Sequence, residues 1–366
     1  RYGSSSNSLS HTSILSLHKD MQGNIWVGTY YGGVNVFNPD KNNHSFYCAE
    51  PLREDCLSFP VVGKMTEDSA GNVWICTEGG GLNCYHGDTG VFSRYMYHKG
   101  DQGTLGSNNV KSIFYRKENN RLYAGTHLGG LFVLDLKSNK GHTLHHVTGD
   151  PASLPHEIVN DIQEYKDGIA MLTQGGPVFF DPVTEKFSPL TDDPSVQLIS
   201  REYAFETFLI DSRHRMWLAV GGGGIVCVNL SSSKVTQYMA DSEKDTLTVG
   251  RYKTVHIFED NKGDIYFSTI GAGIFKYQEK QDTFKSYGTT NGVLPSNYCY
   301  YICESARDNC LLVLHGKGLS IFDREKEVTE ETYHLFRQTY NLGSALYRSK
   351  NGIIYIIGKF NSLCQH

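Results

Sequence analysis

The sequence predicts an all-β protein, a β-propeller built from four-stranded antiparallel blades. Three observations lead to this prediction: the chain of 366 residues repeats itself about every 47 residues, each repeat contains four short strand-like runs, and glycine-rich turns separate the runs. Repeats of about 40 to 50 residues with four strands each are typical of propellers, because one such unit cannot bury both of its faces alone.

The repeat appears when the chain is aligned on the last threonine of GNIWVGT, residues 23–29. Related segments occur eight times, at Thr29, Thr77, Thr126, Thr173, Val220, Thr269, Leu314 and Gly358. The eighth copy, from about Gly343 to His366, is incomplete, and the first two residues, RY, resemble the end of a preceding strand. We therefore expect a single domain over residues 1–366 with eight blades, the last closed by both termini. Seven blades with a loosely attached extra segment are the alternative.

The first repeat illustrates the four strands. Short apolar or alternating blocks bounded by Gly, Asn, Asp and Ser predict strand a at Ile14–Lys19, strand b at Asn24–Thr29, strand c at Gly33–Phe37 and strand d at His44–Cys48. The other repeats follow the same plan.

Two kinds of turn recur with these strands. Asp-x-x-Gly stands between strands a and b, as in Asp20–Gly23 and Asp68–Gly71, where the carboxylate can accept backbone N–H groups and glycine can take a positive φ. A glycine pair such as Gly32–Gly33 marks a tight reversal between strands b and c. These acids and glycines are therefore predicted to be structural, and the glycines are not a phosphate-binding loop.

Two recurring apolar positions predict how neighbouring blades pack. An aromatic residue of strand b is expected to lie between blades, at Trp26, Trp74, Tyr123, Trp217, Tyr266 and Tyr355. A leucine of the d-to-a connection is expected to join each unit to the next, at Leu9, Leu57, Leu105, Leu154, Leu247 and Leu294.

Composition narrows the function. With 34 basic and 39 acidic residues, a net charge of −5 and no long basic run, the chain is not expected to contact nucleic acid. Its longest apolar run, near Ile353–Ile357, is too short to insert into a bilayer. No cofactor, metal ligand set or catalytic residue is predicted, because the nine cysteines form no C-x-x-C pairs and no GxSxG or catalytic triad pattern appears. Cys48 and Cys56 flank a loop and would pair only in an oxidising compartment.

The segments ILSLHKDMQGNIWVGTYYGGVNVFNPD and VVGKMTEDSAGNVWICTEGGGLNCYHGD resemble the two-component regulator propeller repeat. NGVLPSNY resembles the penultimate repeat of that family and GIIYIIGKFNSL its final one, so the resemblance covers essentially the whole chain. The family implies the periplasmic sensor region of a hybrid two-component system, anchored in the inner membrane of polysaccharide-degrading gut bacteria.

By this resemblance the chain looks like the second, membrane-proximal propeller of such a sensor and takes part in recognising an oligosaccharide. The implied partners are the oligosaccharide, a neighbouring propeller, an immunoglobulin-like domain of the same chain, and in some cases a second copy in a homodimer. The histidine kinase and the DNA-binding regulator would lie outside these residues. Two alternatives stay open: a propeller that only docks a partner domain, and a propeller glycosidase or lyase.

The candidate ligand-binding residues follow from topology. In a four-stranded blade, the b–c turns and the d–a connections emerge on one side, and sugars need aromatic faces and planar polar groups. The candidates on this side are Tyr30, Tyr31, Glu78, His127 and His315 from the turns, with Arg201, Tyr203, Arg251, Tyr252 and Tyr298 from the connections. The alternative for each is a solvated rim position or a contact with a neighbouring domain.

Overall fold

The structure, a computed structural model, describes residues 10–11, 14–38, 43–50, 53, 55–191, 193–240, 249–305 and 307–334, together with strands at 344–348 and 354–358. The chain divides into two compact units. Unit 1 comprises Arg1–Thr143 with Tyr333–His366, and unit 2 comprises Leu144–Thr332. The prediction of a single domain over residues 1–366 stays a prediction.

Unit 1 contains three four-stranded sheets and a hairpin. The first sheet is β1 (Ile14–Lys19), β2 (Ile25–Thr29), β3 (Val34–Asn38) and β4 (Asn43–Tyr47). The second is β5 (Val62–Glu67), β6 (Val73–Thr77), β7 (Leu82–Tyr85) and β8 (Phe92–Tyr95). The third is β9 (Val110–Arg116), β10 (Arg121–Thr126), β11 (Leu131–Asp135) and β12 (Lys140–Leu144), whose last residue is the first of unit 2.

Unit 2 contains four four-stranded sheets. The fourth sheet is β13 (Val159–Tyr165), β14 (Gly168–Thr173), β15 (Gly176–Asp181) and β16 (Lys186–Pro189), and helix α1 (Pro194–Tyr203) follows it. The fifth is β17 (Phe205–Ile210), β18 (Arg215–Val220), β19 (Ile225–Asn229) and β20 (Lys234–Tyr238), followed by a 3-10 turn at Val249–Arg251. The sixth is β21 (Lys253–Glu259), β22 (Ile265–Ile270), β23 (Gly273–Gln278) and β24 (Thr283–Tyr287). The seventh is β25 (Cys299–Glu304), β26 (Cys310–His315), β27 (Gly318–Asp323) and β28 (Val328–His334), whose last two residues lie beyond unit 2.

The prediction of eight blades is wrong. Seven sheets of four strands are present in the part of the chain that the structure describes, and the last repeat supplies only a two-stranded sheet, β29 (Ser344–Arg348) and β30 (Ile354–Gly358). The physical reason is length, because the final copy has room for a and b strands but not for c and d. The predicted closing strand near residues 1–2 lies outside the described residues.

Strands pair in sequence order within each four-stranded sheet, and every first strand carries a β-bulge beside its pairing with the second. In the first sheet, for example, Ile14 pairs with Thr29 and Ser16 with Gly28, so that Leu15 is the extra residue. The same register shift occurs in the other six sheets. A bulge bends the strand and re-aims the extra side chain.

The repeated turn residues have the structural roles predicted for them. The carboxylate of Asp20 accepts hydrogen bonds from Asn24 N at 2.7 Å and from the indole Nε1 of Trp26 at 2.7 Å. Asp68 and Asp211 make the corresponding bonds to Trp74 at 2.9 Å and to Trp217 at 2.8 Å. At the other end of strand b, the threonine hydroxyl donates to the carbonyl of the second glycine in five sheets, with distances of 2.7–2.9 Å.

Within each unit the core lies between successive sheets, as the recurring apolar positions predicted. Trp26 packs with Val73 and Ile75 of the next sheet, and Trp217 packs with Ile265 and Phe267. The leucines Leu57, Leu105, Leu154 and Leu294 are all buried. Tyr355, Leu9 and Leu247 lie outside the residues whose side chains the structure describes.

Helix α1 replaces what the sequence suggested was a plain connection. Asp193 caps it by accepting from Ser195 N at 2.8 Å, Pro194 begins it, and Val196 and Ile199 bury its inner side against Phe205. No helix in the described part of the chain has the length and apolarity to cross a bilayer. Cys48 and Cys56 are unpaired thiols in the structure, without the disulfide that an oxidising compartment would permit.

Candidate functional site

The b–c turns and the d–a connections meet within each unit, which confirms the topological prediction that they share one side. In unit 1, Gly33 N donates to Pro60 O at 3.0 Å and Gly79 N donates to Asn108 O at 3.0 Å. In unit 2, Gly271 N donates to Asn297 O at 2.9 Å. We call these combined turns and connections the turn face of each unit. In unit 1 its described residues are 30–33, 48–50, 53, 55–61, 78–81, 96–109 and 127–130, and in unit 2 they are 145–158, 174–175, 190–191, 193–204, 221–224, 239–240, 249–252, 271–272, 288–298 and 316–317.

Tyr30 and Tyr31 form an exposed aromatic pair on the turn face of unit 1. Their side chains are 41% and 60% exposed, and their rings meet edge to face with centroids 4.6 Å apart. Tyr31 has a φ of 66°, a left-handed backbone that turns its side chain outward. A hydrogen bond with Tyr31 raises the pKa of Tyr30, and the nearby charge of Glu78 adds to this effect. The pair therefore offers two perpendicular aromatic surfaces to solvent.

Glu78 and His127 lie on the next two turns of unit 1 and are linked through one residue. Glu78 pairs as a bridge with Asn109, and His127 N donates to Asn109 O at 2.8 Å. The carboxylate of Glu78 binds Lys111 Nζ at 2.8 Å. Both candidate side chains are half-buried at the edge of the face, and the ion pair with Lys111 holds the carboxylate of Glu78 in place.

The candidates of unit 2 are arranged around three glycine turns. Arg201 and Tyr203 end helix α1, and Tyr203 is 50% exposed above Gly222, where a Cβ would lie 3.4 Å from its ring. Tyr252, next to the exposed Arg251, lies in the same way over Gly271 at 3.3 Å.

Tyr298 completes this group, because it is 55% exposed and its Cβ lies 3.5 Å from the corresponding position at Gly316. Tyr203 and Tyr252 occupy one recurring position, two residues before Phe205 and Thr254, which pair with the ends of their b strands. Tyr298 directly precedes the corresponding residue, Cys299, so it stands one position later in its sheet. The rings of Tyr203 and Tyr252 cover the glycine turns of their own sheets, whereas Tyr298 approaches its turn through Cβ.

His315 differs from the other nine candidates because it is buried. It is the last residue of β26, and its Nε2 lies 2.8 Å from the hydroxyl of Ser320 in the neighbouring strand. Its position fits a hydrogen bond that joins two strands inside the sheet, and no surface of this imidazole reaches solvent.

The bulges place a further set of side chains beside the turn face. This set was not predicted from the sequence. The extra residues are Leu15, Lys111, Asn160, Glu206, Val255 and Tyr300, with Gly63 and Lys64 in the second sheet. Glu206 binds Lys253 Nζ at 2.8 Å, and Tyr300 is exposed. Each bulge lies among the first three residues of its strand, so too few residues precede it for the sequence to show where the alternation is broken.

One group among the described residues has the ligand atoms for a metal ion: Cys310, Asp323 and Glu330. Lys326 Nζ already binds Asp323 at 2.9 Å and Glu330 at 3.0 Å, so an ammonium group holds the two carboxylates together. We assign no metal to this cluster.

Seven antiparallel four-stranded sheets, five of which bury an aromatic residue at the same position of strand b, define a β-propeller. Residues 8–31 match the protein family described as two component regulator propeller. The resemblance predicted from GNIWVGT is thereby confirmed for the first repeat.

Solved structures share the fold. A structure described as the "extracellular domain of the putative hybrid two component system BT3049 from B. thetaiotaomicron" matches with a TM-score of 0.64 and 18% identity, over 99% of this chain and 53% of that chain. PorZ, a surface component of the type-IX secretion system of Porphyromonas gingivalis, matches with a TM-score of 0.60 and 12% identity, over 96% of this chain and 59% of that one. YCF48 from Cyanidioschyzon merolae matches with a TM-score of 0.56 and 11% identity, over 86% of this chain and 95% of that one.

At these identities the similarity shows the fold alone. This chain spans about half, 53%, of the length of the BT3049 structure. No protein of curated function matches the sequence significantly.

Proposed function

We propose that this chain is a ligand-sensing propeller module from the extracellular part of a hybrid two-component system, and that it takes part in recognising an oligosaccharide. The observation that carries the proposal is the match of residues 8–31 to the two component regulator propeller family, in a chain whose repeats extend that pattern. The fold of the BT3049 extracellular domain supports it. We further propose a periplasmic location, in the ectodomain of an inner-membrane sensor.

The chemistry of the turn faces supports a sugar ligand. Pyranose rings bind to aromatic faces through their C–H surfaces and to planar polar groups through their hydroxyls. Tyr30 and Tyr31 offer aromatic faces in unit 1, and Tyr203, Tyr252 and Tyr298 offer them in unit 2. Arg201 and Arg251 are exposed guanidinium donors beside these tyrosines.

We propose that the module is not an enzyme. Glycosidases need two carboxylates that face a common substrate, and lyases need a base or a metal at a similar site. The repeated acids Asp20, Asp68 and Asp211 already accept hydrogen bonds from their own turns and from indole groups. Glu78 on the turn face and Glu206 at a bulge are bound to lysine ammonium groups.

The proposed partners are the oligosaccharide, a neighbouring propeller and an immunoglobulin-like domain of the same polypeptide, and a second copy in a homodimer. The BT3049 structure is nearly twice the length that this chain covers, which leaves room for such neighbours in a longer protein.

A panel of defined glycans screened by thermal shift tests the proposal. The panel is applied to this chain and to the complete ectodomain, and a ligand at saturating concentration should raise the melting temperature of both by roughly 2 °C or more. Stabilisation of the ectodomain alone would mean that this propeller is only a docking surface. Release of a shorter glycan product would contradict the non-enzymatic assignment.

Variants of the turn face then locate the site. The double variant Tyr30→Ala with Tyr31→Ala, and separately Arg251→Ala, should bind the glycan that stabilises the wild type with roughly tenfold lower affinity. The double variant removes stacking faces, and Arg251→Ala removes a charged donor. Phe46→Ala is the matched control, since Phe46 is an equally exposed aromatic residue on the outer strand β4. Equal affinity in all of these variants would exclude Tyr30, Tyr31 and Arg251 from the glycan site.

A further inference from the structure

A cleft opens between the first and second sheets of unit 1, on the side of the a–b turns and away from the turn face. Its volume is about 410 Å³, enough for a small organic group. Its walls include Asp20, Asn24, Trp26, Tyr47, Tyr85 and Gly87.

Three aromatic rings form one wall of this cleft. The ring of Trp26 lies nearly parallel to that of Tyr47, with centroids 6.2 Å apart and an angle of 13°. Tyr85 meets Trp26 edge to face at 4.9 Å and 64°. The Asp20 carboxylate lies beside them, bonded to the indole Nε1 at 2.7 Å.

The same aromatic cluster occurs between the fifth and sixth sheets of unit 2. Trp217 and Tyr238 are 6.4 Å apart at 18°, and Trp217 and Tyr277 are 4.8 Å apart at 63°. Asp211 bonds the indole of Trp217 at 2.8 Å, as Asp20 bonds that of Trp26. The repeat has therefore built one cluster twice, with ring geometries that agree within 0.2 Å and 5°.

In unit 2 an arginine of the chain fills the place that is open in unit 1. The guanidinium of Arg215 lies 5.1 Å from the ring centroid of Trp217 and 5.4 Å from that of Tyr277. Its Nε donates to Asp211 at 2.7 Å, and its NH1 lies 3.3 Å from a Glu279 oxygen. Cation–π attraction and a buried carboxylate together hold this cation.

Smaller residues stand at the matching positions of unit 1. Asn24 stands four residues after Asp20, as Arg215 stands four residues after Asp211. Gly87 stands two residues after Tyr85, as Glu279 stands two residues after Tyr277. Gln22 likewise stands where unit 2 has Arg213, whose guanidinium binds Glu279 at 2.7 Å. The cleft is thus the space that a guanidinium and its carboxylate partner occupy in the other cluster.

The charge of Asp20 is the second reason to look for a cation. Asp20 is 4% exposed, and the side-chain and backbone donors that the described residues offer to its carboxylate are Asn24 N, Asn24 Nδ2 and Trp26 Nε1, all of them neutral. Glu67, whose carboxylate accepts from Met21 N at 2.7 Å, adds a second negative charge to the same turn. An adjacent positive charge favours the ionised form of a buried carboxylate.

We infer that the cleft between the first two sheets is a binding site for an organic cation, a guanidinium or alkylammonium group that stacks on Trp26, Tyr47 and Tyr85 and pairs with Asp20. A basic side chain of a peptide has this chemistry. The inference does not rest on the proposed oligosaccharide function, because it concerns other residues on the opposite side of the sheets.

The probe that tests the site is Nα-acetyl-arginine amide, compared with Nα-acetyl-citrulline amide, which has the same shape without the charge. Binding is followed by the NMR signal of the Trp26 indole N–H, one of only three tryptophan signals, assigned through Trp74→Phe and Trp217→Phe. We expect saturable binding of the arginine probe in the millimolar range and at least tenfold weaker binding of the citrulline probe. Equal binding of the two probes, or no shift with either, would overturn the inference.

Asn24→Arg gives the sharpest variant, because it introduces the arginine that the other cluster already contains. It should reduce binding of the arginine probe at least tenfold and raise the melting temperature, while Asn24→Gln, the neutral control of intermediate length, retains binding. Tyr85→Leu introduces the residue type that the third sheet has at the equivalent position, Leu134, and should lower the affinity for the arginine probe several-fold. Unchanged affinity in both Asn24→Arg and Tyr85→Leu would show that the probe binds elsewhere.

Discussion

At the scale of single residues, each turn aspartate fixes two structures at once. Asp68 accepts from Ala70 N at 2.9 Å and Asn72 N at 3.0 Å, which closes the a–b turn, and from the Trp74 indole at 2.9 Å, which sets the ring in the core. The sequence predicted the first role from the Asp-x-x-Gly spacing. The second could not be predicted, because it joins residues six apart whose side chains meet only after the turn has formed.

His18 gives a pH-dependent prediction at this scale. Burial lowers the pKa of His18 below 6.5, although the nearby charge of Asp20 opposes this shift, and its Nε2 has no hydrogen-bond partner among the described residues. The unfolded chain therefore takes up a proton at a higher pH than the folded chain, so His18 makes stability fall as the pH falls through 6.5 towards its folded pKa. Urea unfolding between pH 7.5 and 5.5 should show a smaller loss of stability in His18→Gln than in the wild type.

The control for this prediction is His98→Gln, which changes an exposed histidine of the same unit. It should keep the wild-type dependence on pH. If His18→Gln loses as much stability as the wild type over this range, burial of the neutral imidazole is not the cause.

At the scale of strands and turns, the sequence predicted the regular parts and missed the irregular ones. Strand a of the first repeat was predicted at Ile14–Lys19 and lies there, and the other three strands of that repeat begin or end within one residue of their predicted bounds. The bulges and helix α1 were missed. Each bulge breaks the alternation only near the start of its strand, where too few residues precede it to reveal the break. Asp193–Pro194, the helix start signal, stood in a segment that was predicted to be a connection.

The b–c turn of the second sheet yields a prediction about its glycines. Gly81 has a φ of 71°, its N–H donates to Asn108 O at 2.8 Å, and a Cβ there would lie 2.3 Å from Tyr95 O, a backbone atom that cannot move without breaking the sheet. Gly81→Ala should therefore lower the free energy of unfolding by roughly 2 kcal/mol or more, from backbone strain and the clash together. Urea unfolding monitored by far-UV circular dichroism measures the change.

Gly100→Ala separates the two causes. Gly100 has a φ of 85°, but a Cβ there would meet nothing within 4 Å, so this variant should show the backbone strain alone, about 1 kcal/mol. An equal loss in the two variants would mean that the close approach to Tyr95 contributes nothing.

At the scale of the whole molecule, the repeat predicted the class of fold but not the number of blades. The alignment counted Gly358 as an eighth copy because its strand b pattern is good, yet β29 and β30 form only a two-stranded sheet. Counting one motif per repeat cannot distinguish a complete blade from half of one. The candidate site was predictable in a similar, partial way: Tyr30 and Tyr31 are exposed as expected, while His315 is buried because it ends a central strand.

The cysteines allow a prediction that samples packing throughout the chain. Five of the eight described thiols are buried, at Cys76, Cys84, Cys227, Cys299 and Cys310, and burial raises the pKa of both Cys84 and Cys227 to about 12. A thiol reagent reacts with the thiolate, so these five should react much more slowly than Cys48, Cys56 and Cys303 in the native protein at pH 8. Peptide mass spectrometry after timed labelling identifies each site.

The same labelling in denaturant decides the state of Cys48 and Cys56. Because the structure leaves both as free thiols, unreduced and reduced samples should each label all nine cysteines of the sequence once the chain is unfolded. Labelling of only seven without reductant, with Cys48 and Cys56 protected, would mean that the two form a disulfide. Rapid labelling of Cys76 or Cys299 in the folded protein would contradict the packing between the sheets, because both thiols are completely buried there.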